Sequence, residues 1–224
     1  MQVAIDGPAS AGKSTVAKII AQKLDFIYID TGAMYRACTV IAREQHLDYG
    51  DEAGILTAID QVGIELKVVN GEQKVFVGSQ DISQEIRTPE ISANVSQVSA
   101  LAGVRAKMVS LQRQMAGKVN VIMDGRDIGT TVLPNAEVKI FLVATPASRA
   151  KRRMLDLQER GIKSDKTVAE IEQDIASRDY KDSHREVSPL KKAADAVEID
   201  TTSMSIDQVV AAILDEIKKS QKKL

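Results

Sequence analysis

The chain has 224 residues, 44% of them hydrophobic and 27% charged, which excludes a disordered polymer and allows one sizeable core with a small insertion. Its formal net charge of -1 excludes a general electrostatic attraction to nucleic acid or membrane, so an anion site requires locally clustered arginine and lysine. The single cysteine, Cys38, excludes an intrachain disulfide, and we interpret it as a small core residue.

The first residues, Met1–Asp6, carry neither a basic lead nor a long apolar run. A secretory signal needs both features. The apolar runs elsewhere in the chain are too short to cross a bilayer. We therefore expect a cytoplasmic protein that has no membrane partner.

Five short apolar runs predict buried strands. Continuous apolar runs separated by long helical stretches are typical of a parallel sheet that is covered on both faces, because neither face of such a strand meets water. The predicted strands are Val3–Ile5, Phe26–Ile29, Val119–Met123, Val138–Val143 and Ala196–Ile199.

The sequence between these runs carries apolar residues at three-to-four spacing, as in Val209, Ile213 and Ile217. Strand–helix–strand order favours an α/β fold with a doubly wound, five-stranded parallel sheet. The lysine-rich end, Lys218–Leu224, is interpreted as a frayed helix terminus. The predicted helices are Lys13–Lys23, Ala33–Glu44, Gly103–Met115, Ala147–Gln158, Val168–Ser177 and Ile206–Lys218.

The segment Ile64–Ile82 departs from this pattern because its apolar and polar residues alternate. Asn70-Gly71 lies between the two alternating runs. Both residues tolerate positive φ, which the tightest hairpin turns require. The segment therefore predicts a small antiparallel β insert in the α/β core.

A phosphate-binding motif follows the first predicted strand. The run Gly7-Pro8-Ala9-Ser10-Ala11-Gly12-Lys13-Ser14 matches G-x-x-x-x-G-K-[ST] in full and opens the first predicted helix. Its glycines allow backbone N–H groups to converge on phosphate oxygens, and the helix N-terminus adds partial positive charge. In such a loop Lys13 reaches the β- and γ-phosphates, and the Ser14 hydroxyl binds Mg²⁺.

A second motif narrows the chemistry. Asp124 ends the predicted strand Val119–Met123, where this class of fold places a carboxylate near the metal. Gly125 follows, where a hydrolytic motor would carry a glutamate, and no Asn-Lys-x-Asp for guanine recognition occurs. Asp51-x-x-Gly54 has no strand before it and is interpreted as a chance match. These features favour phosphoryl transfer over hydrolysis.

The arginines are distributed unusually along the chain, in a way that fits transfer between two polyanions. Guanidiniums offset the Coulomb repulsion between donor and acceptor and steady the transferring group. The group at Arg149 is also open to interpretation as a surface stripe pairing with Asp156 and Glu159. Arg126 follows the glycine of the second motif, and Arg36 follows the second predicted strand. Arg178 and Arg185 flank Asp182, and Arg149, Arg152 and Arg153 cluster on one predicted helix.

These motifs together resemble a known family, the bacterial cytidylate kinases, over essentially the whole chain. The two runs Asp30–Arg36 and Asp124–Thr130 are the specific ones, since the P-loop alone is shared with other kinases. The matching segments are Gly7–Thr15, Asp30–Arg36, Glu85–Thr88, Ser96–Val98 with Arg105, Asp124–Thr130, Arg152–Met154 and Arg178–Arg185.

The resemblance implies a P-loop kinase with ATP as donor, CMP or dCMP as acceptor, and Mg²⁺ bound with ATP. It implies one domain, residues 1–224, that includes a monophosphate-binding insert region at 60–102 and a short helical lid at 149–166. We expect a monomer whose partners are these small molecules and not nucleic acid.

The resemblance also implies roles by matched position. ATP is bound by Gly7, Pro8, Ala9, Ser10, Ala11, Gly12, Lys13, Ser14 and Thr15, and Mg²⁺ by Ser14 directly and Asp124 through water. Lys13, Asp124, Arg126, Arg152 and Arg153 act in catalysis, the last two after lid closure. Arg36, Arg126 and Arg185 hold the phosphate of CMP, Ser96, Arg105 and Asp127 read cytosine, and Arg178 and Asp182 meet the sugar. Thr31 and Tyr35 complete the CMP set, with Thr31 standing where the family often has serine.

The residue types suit cytosine independently of the resemblance. A carboxylate such as Asp127 complements the amino group, and a guanidinium such as Arg105 complements N3 and O2, whereas uracil would put a carbonyl against the carboxylate. Two other functions fit the sequence less well. A P-loop kinase for a small metabolite would need fewer base-reading groups and no hairpin insert. A nucleotide-dependent switch predicts guanine specificity, for which the sequence offers no feature.

Overall fold

The structure is a computed structural model that describes residues 1–117 and 119–222. Within them the chain forms two compact units, one of Met1–Tyr28 with residues 119–222 and one of Ile29–Gly117. No helix of the described residues is both long and apolar enough to cross a membrane. Lys223 and Leu224, part of the predicted frayed terminus, lie outside the described residues.

The elements are given in chain order. They are β1 (Gln2–Asp6), α1 (Lys13–Leu24), β2 (Ile27–Asp30), α2 (Thr31–Glu44), α3 (Glu52–Val62), β3 (Ile64–Val69), β4 (Glu72–Val77), β5 (Gln80–Asp81), α4 (Pro89–Ala100), α5 (Ala102–Ala116), β6 (Val121–Gly125), β7 (Val138–Val143), α6 (Pro146–Glu159), α7 (Val168–His184), β8 (Val197–Asp200) and α8 (Ile206–Gln221). A 3₁₀ turn covers Glu85–Arg87, and a π-helical turn covers Ile128–Val132.

The predicted five-stranded parallel sheet is confirmed. Its strand order is β2-β6-β1-β7-β8, so β1 is central. Ile5 is in register with Asp124 on β6 and with Ile140 on β7. Because parallel strands end at the same edge, the loop after β1 and the carboxylate of Asp124 emerge side by side. This edge positions the P-loop.

The core of the first unit explains why the apolar runs form its central strands. Val3 and Ile5 of β1 are fully buried, as is Ile122 of β6. Helices α1 and α8 add Ile20 and Ile213 to the same cluster. Capping boxes begin α7 at Thr167 with Glu170 and α8 at Ser205 with Gln208.

The second unit contains the antiparallel insert that the sequence predicts. β3 pairs with β4, and a short β5 extends the sheet beyond the predicted hairpin. Asn70 and Gly71 adopt φ of 53° and 79°, the left-handed conformations that a tight hairpin turn requires. Buried residues of α2, α4 and α5 form a separate core with the hairpin residue Val75.

Three features of the helices were not predicted. α3 is one, and its N-cap is Asp51, which accepts a hydrogen bond from Gly54 N at 3.0 Å. The Asp51-x-x-Gly54 match is therefore a helix cap. α4 is another, and α7 continues to His184, well beyond the predicted end at Ser177.

Candidate active site

The P-loop connects β1 to α1 through backbone conformations that only certain residues adopt. A Cβ at Gly7 would collide with the carbonyl oxygen of Leu142, and Gly7 has φ of 145°. Gly12, the N-cap of α1, has φ of 93°. Glycine alone adopts these angles without strain, so both motif glycines are required by the fold of the loop.

Lys13 is buried at the start of α1 and is only 5% exposed. Its Nζ donates to Pro8 O at 2.7 Å. Burial lowers the pKa of Lys13 to about 7, and the positive charge of Arg126 adds to this effect, while Asp124 and Asp6 oppose it. The lysine thus lies in an environment where an additional anion would favour its charged form.

Asp124, at the end of β6, contacts the P-loop helix. Ser14 Oγ donates to its Oδ2 at 2.8 Å, and Tyr28 OH donates to its Oδ1 at 2.7 Å. The structure brings together the hydroxyl and the carboxylate that the sequence assigned to Mg²⁺. Oxygen donors are the ligands that this ion prefers, so the two residues fit it. Tyr28 was not predicted.

Arginines and carboxylates form a cluster in the same unit. Arg126 Nε donates to Asp182 Oδ2 at 3.1 Å, Arg178 Nε lies 3.9 Å from the same oxygen, and Arg185 Nη2 lies 3.5 Å from Asp127 Oδ1. Burial would raise the pKa of Asp182, but Arg126, Arg178 and Arg185 outweigh it and hold that pKa below its usual value. Burial is the main cause that lowers the pKa of Arg178 to about 10, and the positive charge of Arg126 adds to it. Five predicted residues thus share one site.

Asp6 is a member of this unit's site that sequence reasoning missed. Its carboxylate accepts hydrogen bonds from Ile128 N at 2.8 Å and Gly129 N at 2.7 Å, so it anchors the turn that follows Asp127. Burial raises its pKa to about 6, although the two amide hydrogen bonds lower it. The available signal was its position: like Asp124, it ends a central strand.

The lid arginines have protein partners. Arg152 donates to the hydroxyl and the carbonyl of Thr201. Arg153 Nη1 donates to Asp156 Oδ2 at 3.0 Å. Arg149 is buried and pairs with Asp179, so its interpretation as part of a surface stripe with Asp156 and Glu159 is wrong. The pairing with Asp156 that was expected of Arg149 is made by Arg153.

The remaining predicted CMP residues lie in the second unit. Arg36 Nη1 donates to Ile86 O at 3.0 Å and to Ser92 Oγ at 2.8 Å. Arg105 is buried, donates to Ser99 O at 3.1 Å and lies 5.2 Å from the centre of the Tyr35 ring. Thr31, the first residue of α2, is buried, and Ser96 on α4 is half-buried.

Asp30 was not predicted as a site residue, although it begins one of the specific motifs. Its Oδ1 accepts from Ala33 N, and its Oδ2 accepts from Arg87 Nη2, both at 2.9 Å. Burial would raise its pKa, but the Arg87 charge and these hydrogen bonds outweigh burial and hold the pKa below its usual value. Asp30 therefore caps the helix that carries Thr31, Tyr35 and Arg36.

The fold and the P-loop define a P-loop kinase-like phosphotransferase. The family model described as "Cytidylate kinase" matches residues 3–219. Proteins named cytidylate kinase from Lactobacillus gasseri and Lactiplantibacillus plantarum are 69% and 54% identical, each over 99% of this chain and 96% of the relative. The chain belongs to the cytidylate kinase family. A shikimate kinase structure from Bacteroides thetaiotaomicron aligns over 99% of this chain and 98% of its own, but with a TM-score of 0.48 and 14% identity it is too distant to carry an inference.

Proposed function

We propose that this protein transfers the γ-phosphoryl group of ATP to CMP or dCMP, giving ADP and CDP or dCDP. One observation carries the proposal: the P-loop lysine lies in the same unit as a cluster of arginines and carboxylates, and the cytidylate kinase family model spans both. A P-loop needs a phosphorylated donor, and clustered guanidiniums need an anionic acceptor.

The donor is held by the loop Gly7–Thr15, with Lys13 following the charge that develops on the transferring group. Ser14 and Asp124 would hold Mg²⁺ through their oxygen atoms, which contact each other at 2.8 Å. When bound with ATP, the ion neutralises charge on the phosphates. Lys13 and the backbone N–H groups of the loop orient the donor.

The acceptor's phosphate is assigned to Arg36, Arg126 and Arg185. The cluster of the first unit supports this assignment because its guanidiniums already lie against carboxylates, which keeps them ordered. Arg178 and Asp182 are assigned to the sugar hydroxyls. Arg178 Nε supports this role, since within the described residues it lacks a hydrogen-bond acceptor.

The base is assigned to Ser96, Arg105 and Asp127, and Thr31 and Tyr35 complete the acceptor set. Asp127 accepts from the cytosine amino group, and Arg105 donates to N3 and O2. The buried environment of both side chains supports this role, because an unpaired polar group is costly there. A base that mismatches them is therefore rejected.

Catalysis is assigned to positioning and charge stabilisation by Lys13, Arg126, Arg152 and Arg153 with Asp124, since a loose phosphoryl-transfer transition state needs little general-base help. We assign monophosphate binding to the insert region 60–102 and closure to the lid 149–166, both within one kinase domain, 1–224. Closure moves Arg152 and Arg153 onto the ATP phosphates. We propose that the protein is a monomer and that it acts in the cytoplasm, where ATP and free nucleoside monophosphates are available.

Base selectivity tests the assignment. UMP presents a carbonyl to Asp127 and an N–H to Arg105, a mismatch that costs about 2–4 kcal/mol, or roughly 30- to 1,000-fold in kcat/KM. Asp127→Ala should reduce the CMP/UMP ratio, whereas the phosphate-contact variant Arg36→Ala should damage both acceptors equally. Steady-state kinetics of both variants with both acceptors measure these ratios.

Two outcomes would contradict parts of the proposal. If Arg36→Ala abolishes the CMP/UMP preference while Asp127→Ala retains it, the base-reading assignment is misplaced. If the wild-type protein releases ADP with a small acid such as shikimate and not with CMP, the metabolite-kinase alternative replaces the whole proposal. A coupled ADP-release assay across monophosphates and small acids separates the two cases.

A further inference from the structure

Arg149 is a buried cation at the first position of the proposed lid, and the proposed function gives it no contact with a substrate. It lies on α6, is 4% exposed, and donates from Nε to Ala144 O at 3.0 Å. Its Nη1 donates to Ala9 O in the P-loop at 3.1 Å and also contacts Asp179. Arg149 therefore links α6 directly to the phosphate-binding loop.

Asp179 on α7 binds the other polar group of the same P-loop residue. Ala9 N donates to Asp179 Oδ1 at 3.2 Å, while Asp179 Oδ2 receives Arg149. The N–H and the C=O of Ala9 are thus held by the two partners of one ion pair. Neither partner contacts its own helix through these bonds, so the pair joins α6, α7 and the P-loop.

The P-loop needs such external support at this position. Ser10, which follows Ala9, has φ of 58°, a left-handed conformation that is strained for a non-glycine residue. Strained backbone persists only where the surroundings over-determine it. Residues 7–12 lie outside any helix or strand, so no regular backbone hydrogen bonding of a helix or sheet holds them.

Stability alone is a poor explanation for this ion pair. Desolvation of two buried charges offsets most of their attraction, and apolar residues of similar volume stabilise a core as well or better. An apolar pair, however, has no groups that would bind both the N–H and the C=O of Ala9. The hydrogen bonds to the N–H and C=O of Ala9 therefore explain why a charged pair lies at this position.

We infer that Arg149 and Asp179 form a clasp on Ala9 that sets the conformation of the P-loop for ATP. They are positioning residues, since they act through the loop and not on the reacting atoms. The inference rests on the proposed function for its ATP site. Because α7 also carries Arg178 and Asp182, one helix would align the donor loop and acceptor-binding residues.

Conservative substitutions test the clasp. Arg149→Lys keeps the charge but loses the planar fork, and Asp179→Asn keeps the shape but turns its amide NH2, a donor, toward one of the two donors that Asp179 binds. We expect KM for ATP to rise about tenfold or more, because a loop that adopts its binding-competent conformation less often binds ATP more weakly in the same proportion. KM for CMP should stay within about twofold. The double variant should lose no more than the worse single one, since both disrupt one unit.

Matched controls use exposed residues to which no role is assigned. Arg113 is exposed on α5, and Asp174 is exposed on α7, where it pairs with Lys166. Arg113→Lys and Asp174→Asn should leave both KM values unchanged. Thermal unfolding with and without ATP supplies a second readout, in which ATP raises Tm of the wild type and the controls but raises that of the clasp variants much less.

A folded Arg149→Lys or Asp179→Asn protein with wild-type KM for ATP and a full ATP-induced rise in Tm would overturn the inference. Equal losses for ATP and CMP would also overturn it, because they indicate general loosening. If Asp179→Asn fails to fold, Asp179→Glu, which keeps the charge and displaces it by one methylene, decides by the same readouts. Wild-type protein inactive on CMP would overturn the proposed function, while the ATP-induced rise in Tm still tests the clasp.

Discussion

Lys13 should gain a proton when ATP binds, and its environment gives the size of the effect. Burial lowers the pKa of the free lysine to about 7, Arg126 and Arg178 act in the same direction, and Asp124 and Asp6 oppose them. At pH 8, about one-tenth of the lysine is then charged. Bound phosphates favour the charged form, so ATP binding should take up about 0.9 proton per molecule.

The same linkage sets the pH dependence of affinity. Between pH 7 and the pKa of the ATP-bound lysine, ATP affinity should weaken by about tenfold per pH unit, and below pH 7 this dependence should disappear. Folding has its own dependence on this group. The ordinary pKa is 10.5, so between about 7 and 10.5 the unfolded chain binds a proton that folded Lys13 lacks. Stability from this group therefore rises with pH across that window and is lost below it.

Calorimetry measures the proton directly. ATP is titrated at pH 8 in buffers of different ionisation enthalpy, and the slope of observed against buffer enthalpy gives the number of protons taken up. The terminal phosphate of ATP is already ionised at that pH. Lys13→Arg is the control, because a guanidinium is charged in both states. A slope near zero for the wild type, or an equal slope for Lys13→Arg, would refute the reasoning.

Three further predictions concern residues of the proposed active site. Lys13→Ala should lower turnover by about a thousandfold or more in a protein that stays folded, and near-normal turnover would contradict the P-loop assignment. Alanine at both Arg152 and Arg153 should lower kcat more than it weakens ATP binding, since both act after closure. The reverse pattern in steady-state and binding measurements would exclude the lid role. Asp6→Asn should lower kcat/KM for CMP about tenfold. The side-chain NH2 of the asparagine would face one of the two backbone N–H groups from which the Asp6 carboxylate accepts a hydrogen bond. An unchanged value in the same assay would show that Asp6 does not position Asp127.

The main elements of the fold could be predicted because burial imposes a pattern on short segments. β7 has the predicted bounds, Val138–Val143, and its residues Val138, Ile140 and Leu142 pack in the apolar cluster of the first unit. The hairpin turn at Asn70 and Gly71 could be predicted because positive φ restricts the residue types allowed there.

Helix α4 could not be predicted because its intrinsic preference is weak. Its sequence, Pro89–Ala100, is rich in Ser, Asn and β-branched residues, which disfavour isolated helices. Pro89 opens the helix at a position where its missing N–H costs nothing. Burial of Ile91, Val95 and Val98 in the second core stabilises it. Tertiary packing, which a local window does not contain, decides this element.

The candidate site likewise has one part that the sequence predicts and one part that it does not. The P-loop could be predicted because a single short segment carries its whole mechanism. The contact of Asp179 with Ala9 joins residues 170 positions apart in the chain. Nothing local to Asp179 distinguishes it from a solvated helix residue. Such pairs follow from the order of strands and helices, which brings distant segments to one edge of the sheet.

The pairing of arginines with carboxylates explains how the proposed anion site would be maintained before substrate arrives. Unpaired guanidiniums at close range would repel each other, and Arg126 and Arg178 already lower the pKa of Lys13. Asp182, whose pKa is held low, stays ionised and offsets two of these charges at once. Arg185 similarly faces Asp127. Binding of a phosphate then exchanges one set of charged hydrogen bonds for another, so guanidiniums are not stripped of partners, and the cost of ordering them is met when the protein folds.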